Sequence, residues 1–333
     1  MTTAWLQFLF CTSLIGIGGY QLSRFGDVIA ERTGLGRTLI GVLMVATVTS
    51  LPELMTGISA VAIVDVPNIA VGDVLGSCIF NLLLLLLLEI GYPRASIYTL
   101  AAQSHILSAG FGVILLGIIA LSILASDRMP AIGHVGLYTP VILGGYLLAM
   151  WIVTQYELQE ARLRAAPAEL RYPHITLRRA IVSYSAAAVV VIAAGTWLPF
   201  IGTEIARLMG WSNSFVGTLL VAFSTSLPEM AVAISALRIG ALDLAIGNLL
   251  GSNLFDAAIL AVDDLAYTKG PLFSAISPAH VGTAVSAIVM TGAVITALFY
   301  RPAGRKFRFF GWIGLFLLII YVANAFILFL FGQ

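Results

Sequence analysis

The chain has 333 residues, of which 60% are hydrophobic and 10% charged, with a mean hydropathy of +1.02. A soluble domain carries roughly 25% charged residues, so this composition excludes one and points to a polytopic helical membrane protein. A net charge of +1, with no basic cluster interleaved with aromatics, excludes a nucleic-acid surface.

A membrane-spanning helix needs about 20 apolar residues, and ten such segments are predicted. The first covers 4–22 and contains Gly16, Gly18 and Gly19. No basic stretch precedes it, so it reads as a retained helix and not a cleaved leader. The second covers 38–64 with Pro52 inside it, and the third covers 69–90. The fourth and fifth cover 105–125 and 133–154, ahead of a polar stretch at 155–179. The remaining five cover 180–200, 214–239, 242–262, 279–300 and 309–331. Cys11 and Cys78 both lie in apolar runs, and neither reads as half of an exposed disulfide.

Loop charge sets the orientation. With alternating sides, one set of loops collects Arg24, Arg32, Arg37, Arg94, Arg162, Arg164, Arg171, Arg178, Arg179, Arg238, Arg301, Arg305, Lys306 and Arg308. The other set holds Arg128, Arg207 and Lys269. Both termini are therefore expected outside, which an even number of spans allows.

Two stretches repeat. Residues 41–60 align with 217–236 at an offset of 176, with 12 identities in 20, and Thr-Ser-Leu-Pro-Glu recurs intact. After a turn, Gly72, Gly76, Ser77 and Phe80 pair with Gly247, Gly251, Ser252 and Phe255 at an offset of 175. Five predicted spans separate matching points, so the second copy is expected upside down. That is the plan of many secondary transporters, which place broken helices at the bilayer midplane. The expected architecture is all-α: ten spans in one transmembrane domain, with 1–154 and 180–333 as inverted five-helix halves and 155–179 as a cytoplasmic loop.

The repeated stretch carries unusual chemistry for a membrane. Pro52 and Pro228 lack an N–H, which frees the carbonyls of Val48 and Ser224. A freed carbonyl in lipid must find another donor, water or a cation. Beside each break stands a carboxylate, Glu53 or Glu229, with a hydroxyl one turn back on the same face, Thr49 or Thr225. An ionisable group at this depth marks an ion or substrate path. Asp73, Ser77 and Asn81 form a polar line on the third segment, and Asn248, Ser252 and Asp256 form its counterpart on the eighth. Such all-oxygen sets suit hard cations. The plain alternative, a buried ion pair, lacks a partner because the neighbouring spans hold no Lys or Arg.

Thr-Ser-Leu-Pro-Glu followed by Gly-x-x-x-Gly-Ser-x-x-Phe-(Asn/Asp), present twice, resembles the alpha repeats of the sodium/calcium exchanger family, within the calcium/cation antiporter superfamily. The resemblance covers almost the whole chain and is nearest to prokaryotic members. It implies a secondary antiporter with no cofactor and no obligate protein partner, moving Na⁺ against Ca²⁺ across a prokaryotic inner or plasma membrane. It implies Glu53 and Glu229 as central ligands, helped by Thr49, Ser50, Thr225 and Ser226. Ser77 and Ser252 would serve flanking Na⁺ sites, and Asn81 and Asp256 would complete the centre, with Asp256 a candidate for protonation. The first and sixth helices would slide as a pair across the rest.

The sequence departs from the pattern. Val48 and Ser224 replace a glycine before Thr-Ser, Cys78 replaces an asparagine, and Asp73 replaces an asparagine. Asp73 either faces the centre, making four carboxylates with Glu53, Glu229 and Asp256, or faces a vestibule. Four ionised carboxylates exceed the charge of one Ca²⁺, so at least one is then expected to hold a proton. This favours a rival reading, exchange against H⁺ or of Mn²⁺ or Mg²⁺ on the same fold. A cation channel would not need inverted halves, and no protease or hydrolase motif is present. Glu89, Asp263 and Asp264 at helix ends are expected to be solvated, and His105, His134, His174 and His280 interfacial.

Overall fold

A computed structural model describes residues 1–33, 46–92, 95–163, 174–302 and 311–332. Its long helices are α1 (Thr2–Thr33), α2 (Leu51–Ser59, continued by a π-helical turn Ala60–Val64), α3 (Pro67–Gly91), α4 (Ser104–Leu124) and α5 (Tyr138–Leu163). The second half follows as α6 (Leu177–Met209), α7 (Asn213–Thr225), α8 (Leu227–Arg238), α9 (Leu242–Ala266), α10 (Ala279–Tyr300) and α11 (Trp312–Phe331). A hairpin of two short strands, Ala131–Ile132 and Val135–Gly136, is the one sheet among the described residues.

Eight of these helices are long and apolar enough to cross a membrane, and nine spans are counted among the described residues if the bent pair α7–α8 is taken as one. The predicted second segment, 38–64, begins outside the described residues; within its described part, 46–64, Leu51–Val64 is an apolar helix too short to cross by itself. Two predicted spans prove longer than their apolar runs. α1 continues past Leu22 to Thr33 and carries Arg24, Asp27, Glu31 and Arg32 on its last turns. α6 has 33 residues, about 50 Å at 1.5 Å per residue, more than a bilayer's apolar core. It stops at Gly210, whose φ of 68° is open to glycine at little cost.

Burial divides the helices into centre and rim. In α3 and α9, 78% and 83% of the apolar window is buried, against 17% in α5 and 28% in α11. The rim helices turn large apolar side chains outward, such as Leu121, Phe299 and Phe331. In lipid this exposure costs nothing, so what holds the helices together is close packing of small residues. Gly76 of α3 lies against α7, where an added Cβ would come within 2.7 Å of Ala222 Cβ. Gly251 of α9 lies against Ala46, where an added Cβ would come within 3.2 Å of the alanine Cβ. These are matching positions in the two halves, since 76 and 251 differ by 175 and 46 and 222 by 176.

Candidate cation site at the paired helix breaks

The two Ser-Leu-Pro-Glu segments interrupt their helices in the same way. Ser50 sits at φ −85°, ψ 14° ahead of α2, and Ser226 at φ −81°, ψ 7° ahead of α8. Each following helix starts with proline in its first turn, where the missing N–H leaves no intrahelical bond unmade. The second break bends the chain by 44°. Glu53 and Glu229 stand in the first turn after each break, where the positive end of the helix dipole favours a negative group.

The hydrogen bonds run between the halves. Glu53 Oε1 accepts from Ser77 Oγ of its own half at 3.4 Å and from Ser226 Oγ of the other break at 3.4 Å. Glu229 Oε1 accepts from Ser252 Oγ at 3.2 Å and from Ser50 Oγ at 3.2 Å. Each glutamate is thus held by one serine from α3 or α9 and one from the opposite break. The threonines follow suit. Thr225 Oγ1 meets Ser77 Oγ at 3.5 Å, and Thr49 Oγ1 meets Ser252 Oγ at 3.4 Å. Thr225 Oγ1 donates to Asp73 Oδ1 at 2.7 Å, and Thr49 Oγ1 donates to Asn248 Oδ1 at 3.4 Å. Most of these distances lie at the long end for hydroxyl donors, so the carboxylates are loosely held.

Where α3 crosses α9, Asn81 Nδ2 donates to Asn253 Oδ1 at 3.0 Å, and Asn253 Nδ2 donates to the Cys78 carbonyl at 3.1 Å. Cys78 Sγ lies 3.8 Å from Asp256 Oδ2. Asn253 was not among the sequence candidates; its place opposite Asn81 depends on a crossing that spacing along one helix does not disclose.

All eleven expected ligands, Thr49, Ser50, Glu53, Asp73, Ser77, Asn81, Thr225, Ser226, Glu229, Ser252 and Asp256, are buried around these breaks. Five of their oxygens are buried without a hydrogen-bond partner: Glu53 Oε2, Asp73 Oδ2, Asn81 Oδ1, Glu229 Oε2 and Asp256 Oδ1. An orphaned buried acceptor is costly, and five together make a place that calls for positive charge. Every ion pair found among the described residues lies elsewhere. Among the described residues no three carboxylate, imidazole or thiol groups come close enough to hold one metal ion. Each glutamate is bonded by one serine of each half, and Asp73 by Thr225. Hydroxyl, amide and carbonyl oxygens must therefore supply much of any cation's shell, as suits a hard ion.

A cavity of about 70 Å³ between α1, α8 and α9 is lined by Tyr20, Ser23, Arg24, Asp27, Ser235 and Leu244. It lies at the end of the molecule that carries Arg24 and Arg238. At the opposite end Asp65 closes the α2–α3 turn at φ 61° and pairs with Lys269, which holds the Lys269 ammonium above its usual range.

The helix-end acids are not solvated. Asp264 is buried and accepts from Gly136 N at 2.9 Å, Tyr138 Oη at 2.6 Å, Thr139 Oγ1 at 2.5 Å and Leu272 N at 2.7 Å. Glu89 is buried against Gly311 and Gly314, and Asp263 is buried against Gly57. Nor are two of the histidines interfacial. His280 is fully buried with Nε2 3.2 Å from Asn68 Oδ1, and His105 is buried 3.1 Å from Asp243. In each case a polar partner from a distant helix offsets the loss of water.

Comparison with known proteins agrees with this arrangement. The family model described as sodium/calcium exchanger protein matches residues 3–155 and 180–330. The inner membrane protein YrbG of Escherichia coli is 26% identical over 261 residues, covering 73% of this chain and 76% of its own. The uncharacterized membrane protein MJ0091 of Methanocaldococcus jannaschii is 29% identical over 300 residues, 88% of this chain and 87% of its own. The sodium/calcium exchanger MaX1 of Methanosarcina acetivorans is 35% identical over 125 residues, 37% of this chain and 33% of its own. Among solved structures, native YfkE superposes with a TM-score of 0.66 at 19% identity, covering 97% of this chain and 92% of that one. The sodium-calcium exchanger NCX_Mj, soaked with 2.5 mM Na⁺ and 10 mM Sr²⁺, superposes with a TM-score of 0.63 at 21% identity, over 97% of each chain. With both repeats inside the matched residues and the fold shared along nearly its whole length, the chain belongs to the sodium/calcium exchanger family.

Proposed function

We propose that the protein is a secondary active antiporter that exchanges Na⁺ for Ca²⁺ by alternating access at the paired breaks. In this reading residues 1–154 and 180–333 are inverted five-helix halves, ten spans in all, with 155–179 as a cytoplasmic loop and both termini outside. The observation that carries it is the set of five buried, unpartnered oxygens on Glu53, Asp73, Asn81, Glu229 and Asp256. Uncompensated carboxylates in a membrane interior cost several kcal/mol, so the empty carrier is penalised when it moves the site across. Na⁺ and Ca²⁺ compete for the same glutamates, and only a loaded carrier reorients, which couples the two fluxes. The mirrored hydrogen bonds between halves support a site shared by two related elements.

The test is Na⁺-gradient-driven uptake of radiolabelled Ca²⁺ into proteoliposomes. Glu53→Gln and Glu229→Gln are each expected to bring uptake to background; full activity in either overturns the assignment. Calorimetric titration with Ca²⁺, Na⁺ and Mn²⁺ gives the binding readout. One observation favours a second reading. Asp73 adds a fourth carboxylate near the site, held by Thr225 on one oxygen only, and this extra negative group suits H⁺ as the counter-ion. Uptake driven by a pH gradient in the absence of Na⁺ decides for it.

A further inference from the structure

Asp263 stands seven residues beyond Asp256 on α9. Seven residues are nearly two whole turns, so both project from the same face, about 10 Å apart along the axis. On α2, Gly57 is one turn beyond Glu53 on the same face. These two rows meet. A Cβ built on Gly57 would fall 2.5 Å from both carboxylate oxygens of Asp263, so the acid is seated against bare backbone.

Its situation is unlike that of its neighbour. Asp264 is held by four donors. Asp263 is 0% exposed, and neither of its oxygens has a hydrogen-bond partner. The groups that act on it electrostatically are Asp73 of α3 and Asp264 of α9, both acidic; α2 faces it with Gly57. Lys269, a positive group at this end of the molecule, is exposed and paired with Asp65. Asp73 also acts on Asp256, so Asp263, Asp73 and Asp256 form a series of carboxylates leading from the Asp65–Lys269 end to the centre.

Resting on the exchanger reading above, we propose that Asp263 is a way station for the transported metal cation between that end of the molecule and the central site. A carboxylate with no donor and no fixed cation stays charged in a membrane interior only when a mobile cation visits it. Several weak sites in line let an ion both enter and leave. Gly57 gives that ion room, because any larger residue would sit on the carboxylate. In the present conformer the seam is shut. α6 latches it through Thr56 Oγ1, which donates to the Gly195 carbonyl at 3.2 Å, and Ser59 Oγ, which donates to the Thr196 carbonyl at 2.6 Å. Asp263 is therefore reached when α6 leaves α2.

The experiment measures exchange in proteoliposomes of known orientation, with the half-saturating Ca²⁺ concentration determined from each face. Asp263→Asn is expected to raise that concentration about tenfold from the Asp65–Lys269 face and to leave the other face unchanged. Gly57→Ala, which puts a methyl against the carboxylate, is expected to act in the same direction on the same face. Thermal unfolding of both variants in detergent separates this from a loss of fold, which would lower exchange from both faces. An equal change on both faces, or none on either, overturns the proposal. So does an unchanged Ca²⁺ dependence with a displaced pH profile, which would make Asp263 a proton carrier. Wild-type protein that moves neither ion would sink the exchanger reading itself; wild-type exchange with symmetric variants would sink only the way station.

Discussion

Asp263 and Asp264 show how far neighbouring residues of one type can diverge. One faces bare backbone, the other four donors. Asp264 ties the end of α9 to the hairpin before α5 and to the loop after α9, and Tyr138 stacks on Phe273 there at 4.2 Å. Tyr138→Phe removes one hydroxyl from a buried carboxylate and is expected to cost about 1–3 kcal/mol, read as a lower unfolding temperature in detergent with the cation affinity intact. Sequence reasoning could not separate these two acids, because three of the four donors to Asp264 lie more than a hundred residues away in the chain. Glu53 and Glu229 were legible for the opposite reason. Each sits beside a proline in an otherwise apolar run, and the run occurs twice.

At the scale of elements, the breaks are seated by glycines of the opposite half. Gly19 of α1 lies on Pro228, where an added Cβ would overlap the ring, and Gly195 of α6 lies on Pro52, where an added Cβ would come 3.1 Å from the carbonyl oxygen. The two glycines and the two prolines are each 176 residues apart. The sequence alone did not say which break each glycine would meet, since that depends on how the halves interlock. It also set the ends of α1 and α6 too early, because hydropathy falls where charged turns continue a helix beyond lipid. Gly76→Ala forces a methyl into α7 backbone at Thr218 and is expected to destabilise by about 1–3 kcal/mol. Gly112→Ala, in α4 with open space around it, is the matched control and should be neutral or slightly stabilising. Thermal unfolding of the pair measures the difference.

In the molecule as a whole, α1 and α6 lie together across both breaks. Cys11 Sγ donates to the Ala194 carbonyl at 3.1 Å, Gly18 packs on Val191, and Thr12 Oγ1 meets Ser224 Oγ at 2.8 Å. If this pair moves during exchange, joining it to a break stops transport. Thr12→Cys with Ser224→Cys, in a background lacking Cys11 and Cys78, is expected to lose uptake on oxidation and regain it with reductant. Unchanged uptake after complete cross-linking would place the motion elsewhere.

The crossed serines carry one more implication. Glu53 takes a donor from Ser226, and Glu229 takes one from Ser50. A polypeptide cut within the central stretch would leave either fragment with a glutamate lacking half of its donors. Neither piece is self-sufficient, and the two would have to be made together to restore the pocket. A half-length forebear of such a chain, before duplication, would for the same reason have been obliged to work as a pair.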